Sequence, residues 1–326
     1  HHGHHRVQEF EPALSVLAVA DVARPKVCLS VHGGLSWLGR RSPRFDPHHP
    51  LLDRIRTDPV LCHRRTIAEP WDLGPQGYGV GRFGRSWMEW NGQYRDTVRD
   101  LWRGLPLPAT QVTDRLLGSP DLTLATDRPV TASVNFITCH DGFTLYDLFS
   151  FDEKQNGCGV LNPTCCEDPF SQWCDQESGE SHNRSVDWGL SGEEHKRQLM
   201  RNAFAGLFLS HGTPMLLGGD EWMRTQYGNN NAYSQGADNA ANWFRWGEWL
   251  NGSNYDGHRM HDFVRGLIAL RKAHPKALSP ATYGGGLALE WLASDATAKA
   301  DWSDRHLAMH YADDGSGEGD LLILIN

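Results

Sequence analysis

The sequence predicts an α/β fold with a parallel, barrel-type sheet followed by an all-β module, and three observations predict it. From Pro43 onward short apolar runs alternate with amphipathic segments, the pattern of βα units joined into a parallel sheet. Two of the apolar runs deliver carboxylates, Glu69 and Asp141, at their C-terminal ends, where a (β/α)8 barrel builds its active face. Beyond Pro275 the pattern changes to short apolar stretches separated by Gly and Asp, which reads as a β domain.

Residues 1–42 show neither a period of 2 nor one of 3.6. They mix His-rich, Ala/Val-rich and Gly-Gly stretches, so no structure is assigned to them and no packed barrel strand is expected before about residue 40. The barrel region is taken as 43–275. Arg65 to Glu69 reads as a short buried strand ending in a carboxylate, and Gln93 to Arg103 as a helix. Ala132 to Thr138, β-branched and aromatic, is a strand that leads into His140 and Asp141. Ser191-Gly192-Glu193-Glu194 has the form of a capping box. Met200, Ala203, Phe204 and Leu207 follow at helical spacing, so a core-facing helix should run from Ser191 to about Ser210. Thr213 to Gly218 reads as a further buried strand, with Asp220 and Glu221 just beyond it. A second helix, with Phe263, Leu267 and Leu270 on one face, ends before Pro275. In the β module, 276–326, strands are expected at Leu287–Trp291, Leu307–Tyr311 and Leu321–Ile325, and the chain stops inside that pattern, so the module is expected to be incomplete. No internal repeat is visible, which argues against solenoids and propellers.

With 326 residues, 39% of them hydrophobic, the chain has enough apolar material for a large core. A net charge of −9 argues against nucleic acid or an acidic membrane surface as partner, since either favours a basic face. Thirteen Trp and eight Tyr suit the flat faces of sugar rings, although most such residues in any protein are core. No apolar run reaches the roughly 18 residues of a membrane span, and the first residues lack the basic and apolar regions of a signal peptide. The chain is expected to be soluble and cytoplasmic, with a plastid as the alternative, and its start without Met is expected to be a fragment boundary. His1, His2, His4, His5 and the Cys158, Cys165, Cys166, Cys174 stretch raise a metal hypothesis. The cysteine spacings of 7, 1 and 8 are not zinc-type pairs, so no metal and no cofactor is expected, and reduced thiols are the default.

Retaining glycoside cleavage needs two carboxyl groups about 5–5.5 Å apart, a nucleophile and a general acid. Glu69, in Ile67-Ala68-Glu69-Pro70-Trp71-Asp72, has Pro and Trp neighbours that can wall a protonated carboxyl off from water; the alternative is a solvated residue at a strand end. Phe136-Ile137-Thr138-Cys139-His140-Asp141-Gly142-Phe143-Thr144-Leu145 resembles the seventh-strand motif of the α-amylase superfamily in its isoamylase or glycogen-debranching form. Ile67 to Asp72, Glu89-Trp90-Asn91-Gly92-Gln93-Tyr94-Arg95-Asp96-Thr97-Val98-Arg99, Gly218-Gly219-Asp220-Glu221 and Gln226-Tyr227-Gly228-Asn229-Asn230-Asn231-Ala232-Tyr233 continue the likeness in family order, over roughly Phe45 to Trp246.

The resemblance implies the C-terminal half of the (β/α)8 barrel and the start of a C-terminal β domain. It implies cleavage of α-1,6 branch linkages in glycogen, amylopectin or limit dextrin with retention. By it Glu69 is the general acid/base and Asp141 the carboxylate that stabilises the oxocarbenium-like transition state, while His140 hydrogen-bonds the reacting sugar. Trp71, Tyr78, Arg224 and Asn231 are looser candidates for the cleft wall, with packing and loop hydrogen bonding as the alternatives. The nucleophilic Asp of this family closes the fourth strand, ahead of Glu69, and should fall near Gly33. There the chain reads Val31-His32-Gly33-Gly34-Leu35, without a carboxylate, and Asp46 stands in a later family segment. Weak or absent activity is therefore expected, and a non-catalytic glucan-binding or scaffold role is the alternative. The first strands of the barrel are also expected to be missing, leaving it open.

Overall fold

The computed structural model describes residues 14–19, 26–31, 45–71, 77–157, 176–188, 192–232, 242–293 and 306–325. Six strands form one sheet in chain order: β1 (Leu14–Val19), β2 (Lys26–Val31), β3 (Arg65–Ala68), β4 (Trp87–Trp90), β5 (Ser133–Asn135) and β6 (Thr213–Pro214). β1 runs antiparallel to β2, and every pairing from β2 to β6 is parallel, with Val31 opposite Ala68, Ala68 opposite Glu89 and Glu89 opposite Ser133. Parallel neighbours need crossovers. The helices that serve them are α1 (Pro50–Thr57) before β3, α2 (Gly92–Trp102) and α3 (Ala109–Leu116) before β5, and α4 (Glu193–Leu209) before β6; α5 (Tyr255–Ala273) follows.

Residues 26–31, to which sequence reasoning assigned no structure, form a strand parallel to β3. Its apolar Val27, Leu29 and Val31 alternate with Lys26, Cys28 and Ser30 over six residues only. So short a run gains its meaning from a ladder partner distant in sequence, here Cys28 to Val31 against Arg65 to Ala68. The remaining sequence features of residues 1–13, the four histidines among them, lie outside the described residues, as do Cys158, Cys165, Cys166 and Cys174.

Two strands are shorter than their apolar runs. The ladder of β5 stops at Asn135, opposite Pro214, although Phe136, Ile137 and Thr138 are buried too. Only Met215 N–H, donating to the Asn135 carbonyl at 2.8 Å, continues the contact.

Helix α4 carries the core. Met200, Ala203, Phe204 and Leu207 are all buried, and they pack with Tyr94 and Val98 of α2 and with Met260, Val264 and Leu267 of α5. Phe263 and Leu270 are half-buried at the margin of that face. The N-cap is Gly192, one residue past the expected Ser191, which lies outside the described residues. Beyond the other end of α4, Arg271 from α5 donates to the carbonyls of Phe208 (2.6 Å), Ser210 (2.7 Å) and Gly212 (2.7 Å), satisfying oxygens that a terminating helix leaves without partners.

A second sheet, β7 (Ala288–Leu292), β8 (Leu307–Ala312) and β9 (Leu321–Ile325), is antiparallel throughout, within a residue of the expected strands. It joins the first unit through Leu116, Leu278, Leu287, Met309, Tyr311 and Ile323, one apolar cluster, and through a buried imidazole. His211 Nε2 lies 2.8 Å from the Ala277 carbonyl oxygen, to which the neutral ring can donate, and 3.1 Å from the Tyr311 hydroxyl.

Burial pushes His211 down to about 4, against about 6.5 for an unfolded imidazole. On acidification the unfolded chain takes up a proton that the folded chain refuses, so stability present above about pH 6.5 is lost as pH falls toward 4. Urea titrations should give an unfolding free energy whose drop between about pH 7 and pH 5 is smaller in His211→Gln by on the order of 2 kcal/mol. Equal drops in the two proteins would show that the ring is not the source.

Candidate active site

Glu69 follows directly on β3 and is 5% exposed. Two residues on, the ring of Trp71 lies parallel to that of Tyr78, at 8° and 6.2 Å, and also contacts Trp90 (6.4 Å) and Phe136 (6.4 Å). The Arg95 guanidinium stands 5.9 Å from the Trp71 ring and 5.8 Å from Phe136, held from its far side by Asp96 at 2.7 Å. Gly92, the first residue of α2, makes room for this group: a Cβ there would meet the Tyr78 hydroxyl at 2.8 Å and Trp71 at 3.5 Å.

Trp90, the last residue of β4, joins two motifs. One side of it meets Trp71, and its ring stands edge-on to His140 at 5.9 Å. Adjacent parallel strands bring their C-terminal ends to one side of the sheet, so the segments carrying Glu69 and Asp141 meet on the residue from the strand between them. Asp141 contrasts with Glu69: its side chain is 47% exposed, and its Oδ2 is 3.6 Å from His140 Nε2.

The loop that carries His140 and Asp141 is tied down from three elements. Arg99 of α2 donates to the Ile137 carbonyl at 2.8 Å, and Gly142 N–H donates to the Asn230 carbonyl at 2.8 Å. Asp220, with no exposed surface, accepts from the Thr138 hydroxyl before the loop and from Leu145 N–H, at 3.0 Å, after it. Burial pushes Asp220 up to about 7. Asp147 does the same for the next loop, accepting from the Thr225 hydroxyl and, at 2.7 Å, from Gln226 N–H, and burial pushes it up to about 6. Asn230 exchanges hydrogen bonds with Asn156 and donates to Asn183, closing a buried amide network under both loops.

Between the loops lies a cavity of about 200 Å³ lined by His140, Leu217, Gly218, Arg224, Gln226, Asn242 and Phe244. Of the residues singled out by sequence, His140 and Arg224 share this cavity, the Arg224 guanidinium donating to Gln226 at 3.0 Å. Trp71 and Tyr78 share the aromatic stack. Asn231 stands apart from the cavity wall, half-buried on the same loop, with its N–H donating to Asn229 at 2.9 Å. Sequence reasoning did not single out Trp90, Arg99, Asn156, Asn183, Asn230 or Phe244 for the site. Trp90, Arg99 and Asn230 lie inside recognised motifs, and the strand-end position of Trp90 was the available signal; Asn156 and Asn183 carry no local signature. Among the described residues no group of three or more metal-ligating side chains is found.

Removing the Asp220 carboxylate strands a buried hydroxyl and a buried N–H. Asp220→Ala should lower the unfolding free energy by roughly 2–4 kcal/mol and expose the Leu145 amide to hydrogen exchange. Asp220→Asn, which keeps one accepting oxygen, should lose less; an Ala variant as stable as the parent would mean that the two bonds do not hold the loop.

No family model matches the chain. It is 43% identical over 246 residues to the glycogen operon protein GlgX homolog of Mycobacterium tuberculosis (strain ATCC 25618 / H37Rv), covering 73% of this chain and 31% of that protein. It is 36% identical to the glycogen debranching enzymes of Erwinia tasmaniensis, over 77% of this chain and 36% of the relative, and of Yersinia enterocolitica, over 80% and 37%. Among solved structures, pullulanase from Bacillus acidopullulyticus superimposes with a TM-score of 0.53 at 18% identity, covering 82% of this chain and 29% of that one. Pullulanase from Paenibacillus barengoltzii in complex with maltohexaose and alpha-cyclodextrin gives 0.52 at 22%, over 85% and 38%; at such identities the likeness is one of fold. By sequence, the chain belongs to the family of the GlgX-type glycogen debranching proteins, and it spans about a third of the length of the curated relatives it matches.

Proposed function

We propose that the chain is part of a (β/α)8-type α-glucan hydrolase that cleaves α-1,6 branches of glycogen, amylopectin or limit dextrin. The observation that carries this reading is the convergence of the Glu69 and Asp141 segments on Trp90. Kinship with glycogen debranching enzymes supports the substrate class. In this role Glu69 gives its proton to the glycosidic oxygen as the bond to the anomeric carbon breaks, and later takes a proton from the attacking water. Asp141, nearly half exposed, offsets the positive charge that develops on the sugar ring. His140 and Arg224 hydrogen-bond hydroxyls in the cavity they share, Trp71 and Tyr78 wall the cleft, and Asn231 contributes from the loop edge.

For one step we assign no residue. Retention requires a nucleophile about 5–5.5 Å from the acid, on the strand beside that of Glu69. β2 is the strand paired with β3 on that side, Val31 facing Ala68, and the sequence after Val31 reads His32-Gly33-Gly34-Leu35. This favours, as a second reading, a chain that binds branched glucan without cleaving it.

The two readings separate on one substitution series. Reducing ends released from amylopectin should be at background for the chain itself and rise in Gly33→Asp, which returns a carboxylate to the expected position. Adding Glu69→Gln or Asp141→Asn should then lower that rate by roughly 10²-fold or more, and without additivity, because both serve one transition state. Cleavage that ignored both substitutions would place the chemistry elsewhere, and Gly33→Asp without cleavage but with amylopectin binding intact would leave the binding reading.

A further inference from the structure

Beside the His140 cavity an aromatic ladder climbs from the core to the surface. Its foot is Trp222, 3% exposed, edge-on to Trp249 with ring centroids 4.1 Å apart and edge-on to His258 at 4.5 Å. Phe244 lies 6.2 Å from Trp222 and 6.4 Å from Trp249, and also lines the cavity that holds His140. Trp246, at the start of the helical turn Trp246–Asn251, is 4.4 Å from Phe244 and 64% exposed; Trp243 beside it is 53% exposed. The intervening Arg245 faces the Tyr227 ring at 5.1 Å and is paired with Glu248 at 3.1 Å, so the ladder presents little net charge.

Two features tell against a purely structural role for the outer rungs. An exposed indole mounted on a buried aromatic stack is already ordered, so a ligand that covers it loses little additional side-chain freedom. The ladder also runs unbroken into a cavity whose wall alternates apolar Leu217 and Phe244 with the hydrogen-bonding His140, Arg224, Gln226 and Asn242. A pyranose has this same division, with apolar C–H faces and a hydroxyl rim, whereas a protein partner would have no use for the cavity. We infer that Phe244 and Trp246 form an outer subsite on which successive sugar units of a linear α-glucan segment stack as the chain leaves the His140 cavity. This rests on the glucan reading above and adds a length requirement to it: a disaccharide fills the cavity region, while a longer oligosaccharide also reaches Trp246.

Calorimetric titration of the chain with maltose and with maltohexaose tests the subsite by binding alone, so a missing nucleophile does not matter. Trp246→Ala should weaken maltohexaose by about tenfold and leave maltose within about twofold, and Trp246→Phe, which keeps a stacking ring, should recover most of the loss. The side chain is largely exposed, so thermal unfolding of the variants should match that of the parent. Maltohexaose affinity unchanged in Trp246→Ala, or both sugars weakened alike, overturns the subsite while leaving the glucan reading in place. A parent chain that binds neither sugar, indistinguishable from His140→Ala, overturns the glucan reading and the subsite with it.

Discussion

A carboxylate with no access to solvent, Asp220, holds both ends of the loop on which the site depends. It accepts from Thr138 where the chain leaves β5 and from Leu145 where the next helical turn begins, so the span from Cys139 to Thr144 is anchored at both ends by one side chain. Burying a carboxyl is costly unless its oxygens are satisfied, and that cost is what makes the arrangement specific: any displacement of the loop leaves polar groups unpaired in the interior. The amide network of Asn156, Asn183 and Asn230 applies the same constraint from below. His140 and Asp141 can therefore stay open to the cleft on a loop that is itself held from three sides.

The two carboxylates proposed for the chemistry, which follow β3 and β5, occupy opposite environments. Glu69 is buried beside an aromatic group that includes Trp71, Trp90 and Phe136, and Asp141 stands nearly half open beside His140. A retaining glycosidase needs this division, one group able to hold a proton and one that stays charged. Trp90 links the two motifs through ring contacts with Trp71 on one side and His140 on the other.

How far the sequence reaches depends on the distance over which each interaction acts. The period of α4 was legible because helix faces repeat within a few residues, and Met200, Ala203, Phe204 and Leu207 are buried as that period requires. β2 was missed for the opposite reason. Its six residues carry a weak alternation, and what makes them a strand is the ladder with β3, more than thirty residues along the chain.

Residue types and local spacing carried the α/β class and the two strand-end carboxylates Glu69 and Asp141, while the candidacy of His140 and the roles of all three came from the resemblance of their motifs to the debranching family. The folded chain is what sets Trp90 between Trp71 and His140, ties the loop to Asp220 and the buried asparagines, and places Phe244 in the cavity with His140. These residues act through partners brought together by the parallel crossovers, Thr138 and Asp220 being one such pair. Contacts of that kind leave no period and no spacing to read, since the physics that selects them is burial and hydrogen-bond satisfaction in the folded chain.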